Sequence, residues 1–348
     1  MVANTDDAGP GSLRQTIADA NTSEHPIFFE PALSGATITL TSGRLRIDKS
    51  LTIHTSALPD GLTIDADGNS QVIQINHGHT VALHSLTLIG GIYNSGTLTL
   101  NRSTLSGNSA FLGGGIYNYF GGTVTLNQST LSGNSASSSG GGISNGGALM
   151  LTNSIVAGNT AFSGGNIAGH FEEFGSNLTS GDPLLAPLGD YGGPTQTMPP
   201  LPGSLAINAA GSINPGSTDQ RGFPRLVSSG LDIGAVEFQA SADLARFWNI
   251  DMDGDGKPFG LEFAIGSDPL LADTGAAGSL TRPMFATPGE ASLSFGVNPA
   301  AEDFVTWVLQ RSPDLSPGSF EEIYHFASPL RYFAGKSVLR SAIFDPKL

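Results

Sequence analysis

Between Gly91 and Ala161 the chain repeats one pattern three times. Gly91-Ile92-Tyr93-Asn94, Gly115-Ile116-Tyr117-Asn118 and Gly142-Ile143-Ser144-Asn145 open the copies. Thr97-Leu98-Thr99-Leu100, Thr123-Val124-Thr125-Leu126 and Ala148-Leu149-Met150-Leu151 follow them. Each copy closes on a phrase that runs over 103–110, returns at 129–136 and is loosened at 154–161. Ser103, Ser129 and Ser154 therefore mark a nearly constant step of about 25 residues. A fixed period of that size signals a solenoid, because each repeat can bury its apolar side only against its neighbours.

The spacing inside a repeat decides which solenoid. Apolar residues alternate, as in Leu98/Leu100 and Val124/Leu126, which is the period of a strand with one buried face. Helical spacing is absent, and glycine triplets cut every repeat into pieces too short for paired helices. The expected fold is all-β, a right-handed parallel β-helix of about 25 residues per coil, each strand lying about 4.8 Å from its equivalent. Asn108, Asn134 and Asn159 should then stack, as should Asn94, Asn118 and Asn145, their amides satisfying the backbone of the bends.

Composition narrows the function classes. The 348 residues carry a net charge of −15, no cysteine, 13% charged and 39% hydrophobic residues. That balance fits neither a disordered acidic chain nor a membrane protein, and it argues against nucleic acid or anionic lipid as partner. No disulfide framework is possible, no signal peptide is visible, and the start reads as that of a mature chain behind an initiator Met.

Four regions are expected. Residues 1–35 read as an N-terminal cap, with Ser12 capping a short helix from Leu13 to about Ala20 whose Leu13, Ile17 and Ala20 share a face. Residues 36–181 carry the parallel β-helix. It begins with irregular coils marked by Ile38/Leu40, Leu45/Ile47, Leu51/Ile53, Leu62/Ile64, Ile73/Ile75, Val81/Leu83 and Leu86/Leu88. Residues 182–238, rich in proline and turn signals, read as an exit cap. Residues 239–348 read as a calcium loop followed by a small β-sandwich.

Within 182–238 the wording becomes specific. Asp182-Pro183-Leu184-Leu185, Asp190-Tyr191-Gly192-Gly193-Pro194-Thr195, the run from Thr218 to Arg225 and Asp232-Ile233-Gly234-Ala235-Val236-Glu237 resemble the choice-of-anchor Q family of bacterial surface proteins. Asn4-Thr5-Asp6-Asp7 through Gln15 is similar to the entry segment of that family, although Asn208-Ala209-Ala210 stands where the family usually has Asp-Ala-Gly. The central repeats also resemble those of polymorphic outer membrane proteins. The resemblance covers about residues 2–238 and implies a right-handed β-helix on an exported protein, secreted or at the cell surface, with no settled activity.

Asp251-Met252-Asp253-Gly254-Asp255-Gly256 opens a twelve-residue pattern that ends on Glu262. Ca2+ prefers several oxygens, and this spacing offers the carboxylates of Asp251, Asp253 and Asp255, the carbonyl of Lys257 and a bidentate Glu262. Pro258 departs from the EF-hand pattern, and the loop looks closer to dockerin or thrombospondin type 3 repeats. Its expected role is structural.

Enzyme chemistry has little to work with in the regular coils, where Arg102 is the one formally charged residue between Gln71 and Phe171. A site would need the early coils, where Arg44, Arg46, Asp48, Lys49, Asp65 and Asp67 gather, or Glu172, Glu173 and Asp190. Arg44 and Arg46 alternate on one strand, and Asp65 and Asp67 follow about one coil later. Surface ion pairs between coils are the expected use of these residues. A sugar site belonging to a polysaccharide lyase or hydrolase is the alternative. His77, His79 and His84 lie close in sequence, but without convincing further ligands they read as solvated turn residues rather than a metal site. The expected function is non-catalytic adhesion or glycan binding at a bacterial surface or matrix, stabilised by calcium, with homotypic assembly as a further alternative.

Overall fold

The computed structural model describes residues 1–20, 26–55, 58, 61–68, 71–193, 195–211, 218–226, 230–247, 250 and 252, together with the strands at 284–287, 290–292, 305–311, 321–326 and 338–344. The chain divides into two compact units, Met1–Phe238 and Gln239–Leu348.

The first unit begins with helix α1 (Leu13–Asp19), capped by the Ser12 hydroxyl, which accepts a hydrogen bond from the Gln15 amide at 3.1 Å. Leu13 and Ile17 point into the core. Among the described residues, twenty-two short strands then wind into a parallel β-solenoid. The first sheet holds β1 (Pro26–Ile27), β4 (Leu51–His54), β7 (Thr80–His84), β10 (Thr97–Asn101), β14 (Thr123–Asn127), β18 (Ala148–Thr152) and β22 (Glu172–Phe174). The second holds β2 (Ala36–Thr39), β5 (Leu62–Asp65), β8 (Thr87–Ile89), β11 (Thr104–Ser106), β15 (Thr130–Ser132) and β19 (Ile155–Val156). The third holds β3 (Leu45–Ile47), β6 (Gln71–Ile75), β9 (Gly91–Asn94), β13 (Ile116–Asn118), β17 (Ile143–Asn145) and β21 (Ile167–Ala168). A fourth, of β12 (Ser109–Leu112), β16 (Ser135–Ser139) and β20 (Thr160–Ser163), occurs among the described residues only in the later coils.

Alternation explains the core. All fourteen apolar residues of the irregular early pairs are buried, and the row Leu83, Leu100, Leu126 and Leu151 continues them through the first sheet. Coil length is less regular than the repeats suggest. His54 pairs with His84 and Thr80 with Thr97, so the second of these coils is little more than half as long as the first. In that short coil the chain passes from β8 to β9 through Gly90 alone. Gly90 has φ +118, and a Cβ there would come within 2.5 Å of that of Ala66. In the next coils Thr97 pairs with Thr123 and Thr123 with Ala148, which restores the length of the repeat, and the extra chain forms the fourth sheet.

Polar ladders close the bends, as expected of the asparagine columns. The Asn94 amide donates to Asn118 at 2.8 Å, and that of Asn118 donates to Asn145 at 2.7 Å. In the second column the Asn134 amide donates to Asn159 at 2.9 Å, and the Asn108 backbone N–H donates to Asn134 at 3.1 Å. Ser103, Ser129 and Ser154 form a third, each hydroxyl accepting from the backbone of the preceding coil. Buried polar groups are costly when left unpaired, so each ladder fixes the register of the coils it joins.

Within the region 182–238 expected to form an exit cap, the described residues Gln196, Gln220 and Ala235 bond to the outer face of the second sheet, so this part of it runs as a strap along the flank of the solenoid. Thr37, Thr63, Thr87, Thr104, Thr130 and Ile155 form one outward row on the second sheet. Thr37 is exposed, but from Thr63 onward the row is buried. Gln220 sits on it, donating to Thr195 at 2.6 Å and accepting from Thr104 at 2.7 Å, while the Ala235 amide donates to Thr130 at 3.0 Å. The strap is locked by Asp219, Arg221, Arg225, Asp232 and Glu237, all at most 2% exposed. Asp219 accepts from the Arg221 and Phe223 amides and pairs with the Arg221 guanidinium at 3.1 Å. Arg221 also donates to the Glu237 carbonyl at 2.7 Å, and Arg225 donates to the Asp232 carbonyl at 3.2 Å. Burial, then the Asp232 charge beside it, push the Glu237 carboxyl up to about 8. The residues that carried the family resemblance in 218–237 are thus the ones that fasten the strap.

In the second unit the described strands are all antiparallel. After α2 (Ala240–Phe247) come a hairpin of β23 (Met284–Thr287) with β24 (Glu290–Ser292), and a three-stranded sheet in which β25 (Val305–Arg311) lies between β26 (Glu321–Phe326) and β27 (Val338–Phe344).

Candidate functional site

The outer face of the third sheet carries the most distinctive chemistry of the solenoid. In Gly-Ile-Tyr-Asn the isoleucine and asparagine face inward, so the tyrosine between them must face out. Parallel pairing then sets Arg46, Gln74, Tyr93, Tyr117 and Ser144 side by side on successive strands. Tyr119 joins them from the turn after β13. That turn reads Tyr119-Phe120-Gly121-Gly122 where the flanking coils have only Ser95-Gly96 and Gly146-Gly147; Tyr119 makes the backbone bond that Ser95 and Gly146 make in their coils, so Phe120 and Gly121 are the two inserted residues. Gly122 makes room, because a Cβ there would lie 2.4 Å from the Asn118 side-chain oxygen.

Three rings meet. Tyr93 and Tyr117 are 5.5 Å apart edge to face, Tyr93 and Tyr119 stack at 6.0 Å, and Tyr117 meets Tyr119 edge on at 6.1 Å. Tyr119 is 47% exposed and Phe120 84%. Burial, with the neighbouring rings, raises the Tyr93 hydroxyl above its usual range, and the Arg44 charge acts against that shift. Arg44 itself donates to the Gln71 amide oxygen. The face therefore offers aromatic surface beside amides and guanidinium groups, a combination suited to polar ligands with flat apolar faces.

The residues singled out in the sequence are separated by the fold. Arg46 belongs to β3 of the third sheet and Arg44 immediately precedes that strand, whereas Asp65 ends β5 of the second and Asp67 follows in the bend. The Asp65 carboxylate accepts from the Asp67 amide at 2.9 Å. No ion pair joins either arginine to either aspartate among the described residues, so the expected bridges between coils do not form. Glu172 and Glu173 are exposed on β22, and Asp190 accepts from the Gly192 amide within a turn. Asp251, Asp253, Asp255, Lys257 and Glu262 lie outside the described residues. Among the described residues no group of three or more His, Asp or Glu is placed to hold a metal ion.

The histidines regroup as well. His77 and His79 lie in the turn before β7, but His84 faces outward on β7 and stacks on His54 of β4 at 4.2 Å, with Phe28 5.8 Å beyond. Burial, then the His54 and Arg102 charges, lower His84 to about 4, and burial with Arg102 lowers His54. His54 was not singled out, because its partner lies a full coil away in the irregular part of the solenoid. The tyrosines were missed too, although the outward phase of Gly-Ile-Tyr-Asn announces them.

No family model, no curated protein and no solved structure matches this chain. Among the described residues no helix is long and apolar enough to cross a membrane.

Proposed function

We propose that the solenoid is a glycan-binding module of an exported surface or matrix protein, holding a polysaccharide along the outer face of its third sheet without turning it over. The observation that carries this reading is the cluster of Tyr93, Tyr117 and Tyr119 in line with Gln74 and Arg46. Aromatic rings stack on the apolar faces of sugar rings, while amides and guanidinium groups bind hydroxyls and acidic groups. The ligand surface is built on strands, which hold it rigidly and limit the entropy lost on binding. The resemblance to choice-of-anchor Q proteins agrees with a role outside the cell.

The test is incubation of the full chain, with calcium, across neutral and acidic polysaccharides, following both retention and soluble products. Retention without products, lost in a Tyr93→Ala/Tyr117→Ala/Tyr119→Ala variant, is expected. Release of new chain ends would replace the binding reading with a lyase or hydrolase. The calcium loop of 251–262 is proposed as a staple of the second unit, so chelation should lower the melting temperature of that unit.

A further inference from the structure

We infer that the ligand is a polyanionic glycan, a chain bearing carboxylate or sulfate groups, and that one of those groups seats in the cavity between α1 and β3. This rests on the glycan-binding reading above and names its ligand class. The cavity has a volume of about 390 Å³ and is lined by Arg14, Arg44, Arg46, Lys49 and Asp48. Four cations and one carboxylate on one wall stand out in a chain whose net charge is −15.

The four cations are not equivalent. The Arg14 guanidinium is committed to the fold. It pairs with Asp7 at 2.6 Å and donates to the carbonyls of Gly43 at 2.6 Å and Arg44 at 3.1 Å. Burial pushes the Asp7 carboxyl up, but hydrogen bonds from Ser42 and Arg14 outweigh it and hold it at about 2, so this pair is balanced. Lys49 donates to the carbonyls of Ala18 at 2.8 Å and Ala20 at 3.0 Å, at the end of α1, which fixes the ammonium without neutralising it. Arg44 is held by the neutral amide of Gln71. Arg46 is exposed and makes no hydrogen bond or ion pair among the described residues. Three positive charges thus face one cavity with Asp48 as the sole carboxylate among its described lining residues. Like charges held together repel, and an entering anion removes that repulsion while the planar guanidinium groups bind it in bidentate fashion.

Register links the cavity to the rings. Arg46 stands in the same outward row as Gln74, Tyr93 and Tyr117, one strand per step of about 4.8 Å. A chain lying across the strands would meet the guanidinium groups and the rings along a single line.

The experiment uses polygalacturonate and its fully methyl-esterified form, which share a backbone and differ in charge, with the full-length chain. Expected is at least tenfold tighter binding to polygalacturonate, weakening with salt. That preference should vanish in Arg44→Gln/Arg46→Gln, whose affinity for polygalacturonate should fall to that for the esterified chain. Arg46→Gln alone, at an exposed position, guards against a folding defect and should lose part of the preference. Equal affinity for the two polymers, or a preference that survives both variants, overturns the inference but leaves glycan binding standing if the tyrosine variant still loses retention. Binding of neither polymer, nor of any other in the polysaccharide panel, removes the parent reading as well. Capture of a single-stranded oligonucleotide as tightly as polygalacturonate overturns the assignment of a glycan.

Discussion

The second and third sheets are made by the same alternation on the same coils, yet their outer faces meet opposite fates. On the second, the Thr87, Thr104 and Thr130 row is sealed under the strap, each hydroxyl with a partner from the chain itself. On the third, the Arg46, Gln74, Tyr93 and Tyr117 row stays open. A row of small hydroxyls suits a covering of defined hydrogen bonds, whereas large rings and guanidinium groups suit a partner that arrives from outside.

Removing the lock of the strap should break this contrast most severely. Arg221→Leu leaves Asp219 buried without its guanidinium partner and is expected to cost about 3–5 kcal/mol. Urea unfolding reads the loss, and hydrogen exchange should show it concentrated at 218–238 and the second sheet. Loss spread evenly over 91–118 would mean that covered and open faces are one cooperative unit.

Acidity should act on the two kinds of face with opposite sign. His54 and His84, on the open first sheet, have folded pKa values below the unfolded one, so the unfolded chain takes up protons first as pH falls from 6.5 towards about 4. Stability there falls on acidification, by about 2 kcal/mol after allowing for solvent screening. Glu237 under the strap has its pKa raised, so its contribution is complete below 4.5 and is lost as pH climbs towards about 8. Hydrogen exchange at pH 5 and pH 8, corrected for intrinsic rates, should find the strap better protected at pH 5 and the histidine strands better protected at pH 8.

A matched pair of substitutions sharpens the comparison. Thr104→Val strands the Gln220 amide oxygen in a buried site and should cost about 1–2 kcal/mol. Thr99→Val, on the open outer face of the first sheet, keeps the β-branched shape and should stay within about 0.5 kcal/mol of the parent. Chemical denaturation distinguishes the two. The smallest change in stability, within about 0.5 kcal/mol, is expected for Tyr119→Ala on the third sheet, although its loss should weaken glycan retention.

The sequence revealed the parts of the fold that repeat. The phrases at Ser103, Ser129 and Ser154 gave the coil, and the inward isoleucines and asparagines gave its core and ladders. It did not reveal the shortened coil, because nothing repeats across Gly90, nor the fourth sheet, whose strands carry serine, alanine and phenylalanine without a clear alternation. The strap was illegible for a different reason. Thr87, Thr104 and Thr130 read as ordinary solvent-facing positions, and only their long-range partners, such as Gln220 and Ala235, show them to be covered. The site was half legible. Arg44 and Arg46 stood out by charge, but their neighbours are set by strand order, which puts Gln71 and the tyrosines beside them and sends Asp65 and Asp67 around the corner.

The row from Arg46 to Tyr117 makes the protein a ruler graduated in coils. The separation between its charged mark and its aromatic mark is not tuned by side-chain length. It is a whole number of turns, and the insertion or deletion of one complete coil would move the marks apart or together by a single graduation while leaving both intact. A ligand with its own regular repeat would be recognised by counting.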